Sequence, residues 1–230
     1  MKIGFVAPSS DEMQPFLALL KDVKVHEKCG YTFVTGGFDD NQVKGVLCGI
    51  GKVNAATATT ILLQDFCPDF VIIGGVCGAI DDRLNVGDAI LCTDVKHHDV
   101  LDRFLTHNAP YFESAVFYPD ENGLEKVKKA VEGKDFGFKL YYGRLATGEQ
   151  FIEDDGREEI KATVNPLGVD METAAFAQVC FVFDAPFLAL RTVTDTPKER
   201  GISAFEKNLK KATQNQGIVL QYIFNAITQK

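Results

Sequence analysis

The chain has 230 residues, 46% of them hydrophobic and 24% charged, ordinary proportions for a globular protein that folds without metal or disulfide support. A net charge of −8, from 24 basic against 32 acidic residues, argues against a dedicated binder of nucleic acid or of anionic membranes, since both need a basic face. The six cysteines are widely scattered and form no C-x-x-C pair, a pattern of buried thiols in a reducing cytosol rather than of a zinc or disulfide framework.

The start, MKIGFVAPSSDE, reaches Pro8 too soon for a secretory leader. The longest apolar runs fall far short of the roughly 20 residues of a membrane helix, so a cytoplasmic protein is expected. Residues 2–7 read as a buried strand. A helix is expected from Glu12 to Leu20, with Ser9 and Ser10 as candidate caps. YTFVTGGF and VKGVLCGI read as two strands joined through Asp39, Asp40 and Asn41. Residues 52–66 read as a helix. FVIIGG (70–75) is apolar on both faces, as a central parallel strand would be, and its glycines read as a tight strand–helix connection.

A further strand is expected at 86–95. Residues 97–118 are irregular and aromatic-rich, and loops of that length usually serve a function. Then come a helix at 124–132, a strand at 139–146, a short helix at 155–163, an Ala-rich helix at 171–182, a strand at 186–193 and a closing helix at 204–227. No linker, repeat or domain boundary is visible, so residues 1–230 read as one domain. Strands alternating with helices predict a mixed, largely parallel sheet with helices on both faces.

Ligands in such folds bind beyond the carboxyl ends of the strands. Those positions hold Asp11 and Glu12, the glycine-rich 74–79, residues 146–152, and Thr194-Asp195. VDMET places Asp170 and Glu172 at a helix start, where a carboxylate meets free N–H groups. Several carboxylates thus converge beside small residues. His97-His98-Asp99 reads as structural or as a pocket rim, because adjacent residues of an extended chain face opposite ways. No G-x-S-x-G elbow, G-x-G-x-x-G turn or Walker motif is present, and the reading calls for no metal and no cofactor.

The ordered set GIGKVNAA (49–56), GVCGA (75–79), NVGD (85–88), HD (98–99), TGEQF (147–151), VDMETAA (169–175) and LRTVTD (190–195) resembles the methylthioadenosine/S-adenosylhomocysteine nucleosidases of the nucleoside phosphorylase superfamily. The resemblance implies a three-layer α/β/α sandwich around a mixed, partly barrel-like sheet, and a homodimer. It implies cleavage of the N-glycosidic bond of 5′-substituted adenosines, releasing adenine. Glu12 matches the glutamate that activates water, and Asp195 the acid that protonates purine N7. Glu172 and the Met171 backbone match ribose binders. Phe151 matches the ring stacked on adenine and Ile152 the backbone contact to its edge. Arg191 and Phe205 match an arginine near the water and a pocket phenylalanine. Val76 and Cys77 lie on the substrate-binding turn, and Phe104 and Pro110, with Tyr111 and Phe112, in a lid over the partner subunit's pocket.

N7 protonation requires Asp195 to hold a proton near neutral pH, which a dry pocket would arrange. The chain departs from the family pattern at Ser9, usually methionine; at Val76, where a serine helps to hold the water; and at Thr147-Gly148-Glu149, usually S-G-D. Two other readings stay open on sequence alone: a purine nucleoside phosphorylase or nucleosidase of other specificity, and a catalytically weak nucleoside-binding homologue.

Overall fold

The computed structural model describes residues 1–229 apart from Ala109 and Tyr111. Strand β1 (Lys2–Ala7) is buried from Ile3 onward. Ser9 then caps α1 (Ser10–Leu17), its Oγ accepting the Glu12 N–H at 3.4 Å. This helix starts and stops earlier than expected, and Leu19 and Leu20 leave it to pack against the core. They lead into a strand that the sequence did not reveal, β2 (Lys21–Lys28). Every residue of β2 is exposed, so it carries no core-facing apolar pattern, and its lysines suit an unpaired sheet edge. Strands β3 (Tyr31–Phe38) and β4 (Asn41–Leu47) form the expected antiparallel pair, followed by α2 (Lys52–Phe66).

Strand β5 (Phe70–Ala79) runs straight through the glycine-rich segment, which is therefore not a turn. Glycine is needed there for close approach: a Cβ on Gly74 would lie 2.8 Å from Gln216 Nε2 and 2.9 Å from Phe5. Next come β6 (Ala89–His97), α3 (Asp102–Thr106), β7 (Val116–Phe117), α4 (Glu121–Val131) and β8 (Leu140–Thr147). The chain ends with α5 (Asp154–Thr163), β9 (Gly168–Asp170), α6 (Thr173–Val182), β10 (Phe187–Asp195) and α7 (Gly201–Thr228). In the aromatic-rich 97–118 region, Phe112 is buried and meets Phe117 edge-on at 5.6 Å. It fills this chain's own core and is not part of a lid, as the sequence reading had it; Tyr111 of that reading lies outside the described residues.

The sheet runs β10-β6-β8-β9-β5-β1-β4-β3-β2, and β10 also pairs with β5. That extra pairing closes β5, β10, β6, β8 and β9 into a barrel, with β1 to β4 as an open extension. Parallel pairs (β1–β4, β1–β5, β5–β10, β6–β8, β8–β9) mix with antiparallel ones (β6–β10, β5–β9). One apolar cluster joins α2 and α6 to the sheet through Ala58, Leu62, Phe176 and Cys180. Another joins α1, α4 and α7 through Phe16, Val127, Val219 and Phe224. Helices on both faces give the three-layer sandwich around a partly barrel-like sheet.

Candidate active site

Arg191 sits in the middle of β10, opposite Gly75 of β5, and is fully buried. Gly75 makes room for it, since a Cβ there would overlap the guanidinium and lie 2.5 Å from Glu12 Oε1. Arg191 Nε donates to Thr173 Oγ1 at 2.9 Å, and Nη1 donates to the Val76 carbonyl at 3.3 Å. Three carboxylates surround the rest. Asp170 Oδ2 lies 2.8 Å from Nη2, Glu172 Oε2 3.5 Å from Nη2, and Glu12 Oε1 3.6 Å from Nη1. Burial works against the charge of Arg191, but Asp170, Glu172 and Glu12 outweigh it and raise its pKa above the ordinary arginine value.

Glu12 is placed by both its neighbours in sequence and its neighbours in space. Ser9-x-x-Glu12 is a capping-box spacing, yet here Ser9 Oγ donates to Glu12 Oε2 at 2.5 Å, and the Val76 N–H donates to Oε1 at 2.8 Å. Burial raises the Glu12 pKa, with Arg191 opposing. Glu172, whose Oε1 accepts the Gly51 N–H at 2.9 Å, is pushed up to about 8, by burial first, against the pull of Arg191 and with the help of the Asp170 charge. Of the two acids expected at the helix start, only Asp170 meets a free N–H of α6. Glu172 makes no side-chain cap on α6, whereas Asp170 accepts the Thr173 N–H at 3.2 Å. Asp170 also accepts from Thr147 Oγ1 at 2.5 Å and from Thr173 Oγ1.

Asp195 closes β10 and is buried. Thr194 Oγ1 donates to its Oδ1 at 2.9 Å, and Arg157 of α5 donates to its Oδ2. The carboxyl is buried, as a dry pocket requires, but it sits against a guanidinium. Phe151 and Phe205 meet edge-on at 6.0 Å, Ile152 is half-buried against Ile160 and Val164, and Met171 is half-buried between Asp170 and Glu172. The Cys77 side chain packs in the apolar core, where burial pushes its thiol up. The buried Val76 contributes its backbone N–H and carbonyl. Phe104 and Pro110 are exposed. Asp99 accepts from Lys52 Nζ at 2.7 Å and from the Glu149 N–H at 2.9 Å. Glu149 Oε2 in turn accepts the Lys52 N–H at 3.1 Å, so the HD and TGEQF segments tie down the start of α2.

The sequence thus located Glu12, Val76, Glu172 and Arg191, which come together, and Asp195. It missed Arg157, which stands in no recognisable motif, and the central place of Asp170, which was read only as a helix-start acid.

Residues 2–225 match the sequence model of the Phosphorylase superfamily, which sets the class of the protein. Among curated relatives, the 5′-methylthioadenosine/S-adenosylhomocysteine nucleosidase of Marinomonas sp. (strain MWYL1) is 34% identical over 224 residues, covering 95% of this chain and 96% of that one. The enzyme of that name from Bacillus subtilis (strain 168) is 34% identical over 216 residues, covering 92% and 93%. The Neisseria meningitidis nucleosidase, solved in complex with methylthio-immucillin-A, superposes with a TM-score of 0.88 at 28% identity, covering 98% of this chain and 99% of its own. The chain belongs to the 5′-methylthioadenosine/S-adenosylhomocysteine nucleosidase family of that superfamily.

Proposed function

We propose that this protein is an N-ribosyl hydrolase that releases adenine from 5′-methylthioadenosine and S-adenosylhomocysteine. The observation that carries the reading is Glu12, a buried carboxylate anchored by Ser9 and the Val76 N–H beside Arg191. Its burial-raised pKa makes it a better base for a water attacking C1′. The serine that would help to hold that water is Val76 here, so the strand backbone and Ser9 do the positioning. As the bond to C1′ breaks, the sugar gains oxocarbenium character, and the carboxylates around Arg191 stabilise it. Glu172 and the Met171 backbone bind the ribose hydroxyls. Phe151 and Phe205 frame the base, Ile152 meets its edge through the backbone, and Asp195 gives N7 its proton. Val76 and Cys77 form the strand wall of the pocket through their backbone, the Cys77 thiol pointing into the core.

Hydrolysis is favoured over phosphorolysis because the two buried arginines among the described residues, and the first arginine of the chain, are already paired with carboxylates. Arg191 is held by three carboxylates, Arg157 by Asp195, and Arg83 forks onto Asp81. A phosphate beside C1′ would need an arginine fork of its own. Adenine release from 5′-methylthioadenosine in phosphate-free buffer, unaccelerated by added phosphate, is the expected result. Formation of a ribose-1-phosphate would overturn the reading. The intact carboxylate set likewise favours an active enzyme over a nucleoside-binding homologue.

The reading extends to a cytoplasmic homodimer serving methionine salvage. An apolar cleft of about 420 Å³, lined by Val53, Ala56, Leu105, Val179, Val182 and Phe183, lies on the α2–α6 face. Ile50, Val53, Phe104, Phe181, Val182 and Phe183 are exposed, and exposed apolar patches of this kind mark association surfaces. Phe104 and Pro110 would then cover the 5′ end of the partner's pocket. Among the described residues no helix is long and apolar enough to cross a membrane.

A further inference from the structure

Asp195 is the residue read above as the N7 acid, yet both of its oxygens are occupied. Oδ1 takes the Thr194 hydroxyl and Oδ2 takes Arg157. Arg157 is itself buried, 3% exposed, and its other terminal nitrogen donates to the Ala79 carbonyl. Among the described residues its Nε has no hydrogen-bond partner. Gly78 gives the pair its space: a Cβ there would lie 3.0 Å from Asp195 Oδ2 and 3.2 Å from Arg157 Nη2. The guanidinium is carried by α5, whose first residue, Asp154, follows Phe151-Ile152-Glu153 directly. Groups that frame the base and the group that covers Asp195 therefore share one short segment. That segment is seated on a small apolar cluster of its own, Ile80, Ala146, Ile160, Val164 and Val169.

We infer that Arg157 is a displaceable latch on Asp195: it holds the carboxylate in the empty site and withdraws from Oδ2 when a purine docks. This rests on the reading of Asp195 as the acid. A carboxylate paired with a guanidinium is held as the ion and has no proton to offer a purine N7. Once Arg157 withdraws, a buried carboxylate has lost its counter-charge, and such a group takes up a proton from solvent. That proton passes from Oδ2 to N7 as the C1′–N9 bond breaks and its electron pair moves into the base. Docking thus converts Asp195 from ion to acid only when there is a base to protonate. Among the described residues, the Asp195 charge also bears on the buried Cys77 thiol of β5, and Asn208 of α7 holds the adjoining Thr194 carbonyl and Glu199. Arg157 is a positioning residue here and does not act on the substrate itself.

The test is calorimetry of adenine binding at pH 7.5 in two buffers of different ionisation enthalpy. The intact enzyme should take up about one proton per adenine bound, and Asp195→Asn should abolish the uptake. Arg157→Met should abolish the uptake too, because the carboxyl is already protonated, while adenine binds at least as tightly and KM for 5′-methylthioadenosine falls. Arg157→Lys, which keeps the charge, should retain the uptake. An intact enzyme that binds adenine without taking up a proton overturns the latch whether or not any variant folds. So does uptake that persists in Asp195→Asn, which would come from the Glu12–Glu172 cluster. A rise in KM in Arg157→Met with kcat unchanged would make Arg157 a direct ligand of the base and also overturn it. The acid assignment fails separately, if Asp195→Asn turns over normally.

Discussion

Arg191 and Asp170 form a fully buried pair, with Nη2 2.8 Å from Oδ2, and the rest of the acidic cluster is arranged around it. Asp170 also accepts from the side chains of Thr147 and Thr173, so it joins the ends of β8, β9 and α6 to the middle of β10. Asp170→Asn removes the charge and turns a donor toward hydroxyls that already donate. Breaking a buried pair from one side costs about 3–5 kcal/mol. The variant should melt roughly 10 °C lower, and Arg191 should be drawn toward Glu172 and Glu12, lowering kcat. Melting within two or three degrees of the parent would mean that Asp170 is a bystander.

Glu12→Gln keeps the shape, the bond from the Val76 N–H and the Ser9 contact, but gives up the base. Turnover should fall by about 10²–10⁴, with the melting point unchanged or higher because a buried charge is gone. Adenine release at more than a tenth of the parental rate by Glu12→Gln would remove Glu12 from the role of base.

The pH dependence of stability follows from the same burial. Glu12 and Glu172 bind protons more tightly when folded than when unfolded. In that situation the folded state holds more protons, and stability falls as pH rises toward the folded values. For Glu172 the window runs from the ordinary glutamate value of 4.5 up to about 8, with a slope of up to about 1.4 kcal/mol per pH unit. His97 and His98 are displaced downward by burial, so their loss of stability occurs on acidification and lies below pH 7. Between pH 7 and 8.5 the melting temperature should therefore fall with rising pH, and Glu172→Gln should flatten the slope. A flat parental profile in that range would contradict the assignment.

Gly75 is the position where the barrel strand must lie close to the site. Gly75→Ala would drive a methyl group into Arg191 and Glu12, and overpacking of this kind costs about 1–3 kcal/mol. Because the displaced atoms are those of the site, kcat should suffer more than stability. Gly37→Ala is the control: it lies in β3, where the nearest heavy atom to a Cβ is 3.9 Å away, and it should behave like the parent. Equal activity in both variants would show that the approach of β5 to Arg191 is not needed.

The parts of the fold that could be read from sequence are those whose side chains report burial. Strand β1, helix α2 and β10 carry long apolar runs that mark them unambiguously. Strand β2 does not, because an exposed edge strand has no core to encode. Glycines 74, 75 and 78 misled for the opposite reason: a missing side chain signals both a turn and a tight contact, and only the fold decides which. In the site, acids after strands were visible because strand ends are where ligands bind. Arg157 was not visible, since an arginine in the polar run 153–159 reads as a solvated helix face until α5 folds over Asp195.

Assembly gives the last prediction. Val53 stands 74% exposed at the start of α2, beside the apolar cleft that reaches Val182 and Phe183 of α6. If that face joins two copies about a twofold axis, each substitution in it enters the interface twice. The protein should sediment at twice its chain mass of 25.3 kDa. Val53→Asp should place two unpaired carboxylates in an apolar contact, each costing several kcal/mol when buried, and should yield a monomer at micromolar concentration. Val53 is exposed on α2, away from the buried carboxylates, so the isolated subunit should still fold, melting below the parental dimer because the stabilisation supplied by association is gone. What it should lose is the lid that Phe104 and Pro110 supply from the partner. KM for 5′-methylthioadenosine should therefore rise more than KM for adenosine, whose 5′ end has less apolar surface to cover. A fully active parental monomer, or a monomeric Val53→Asp variant with both KM values unchanged, would show that the pocket is complete within one chain.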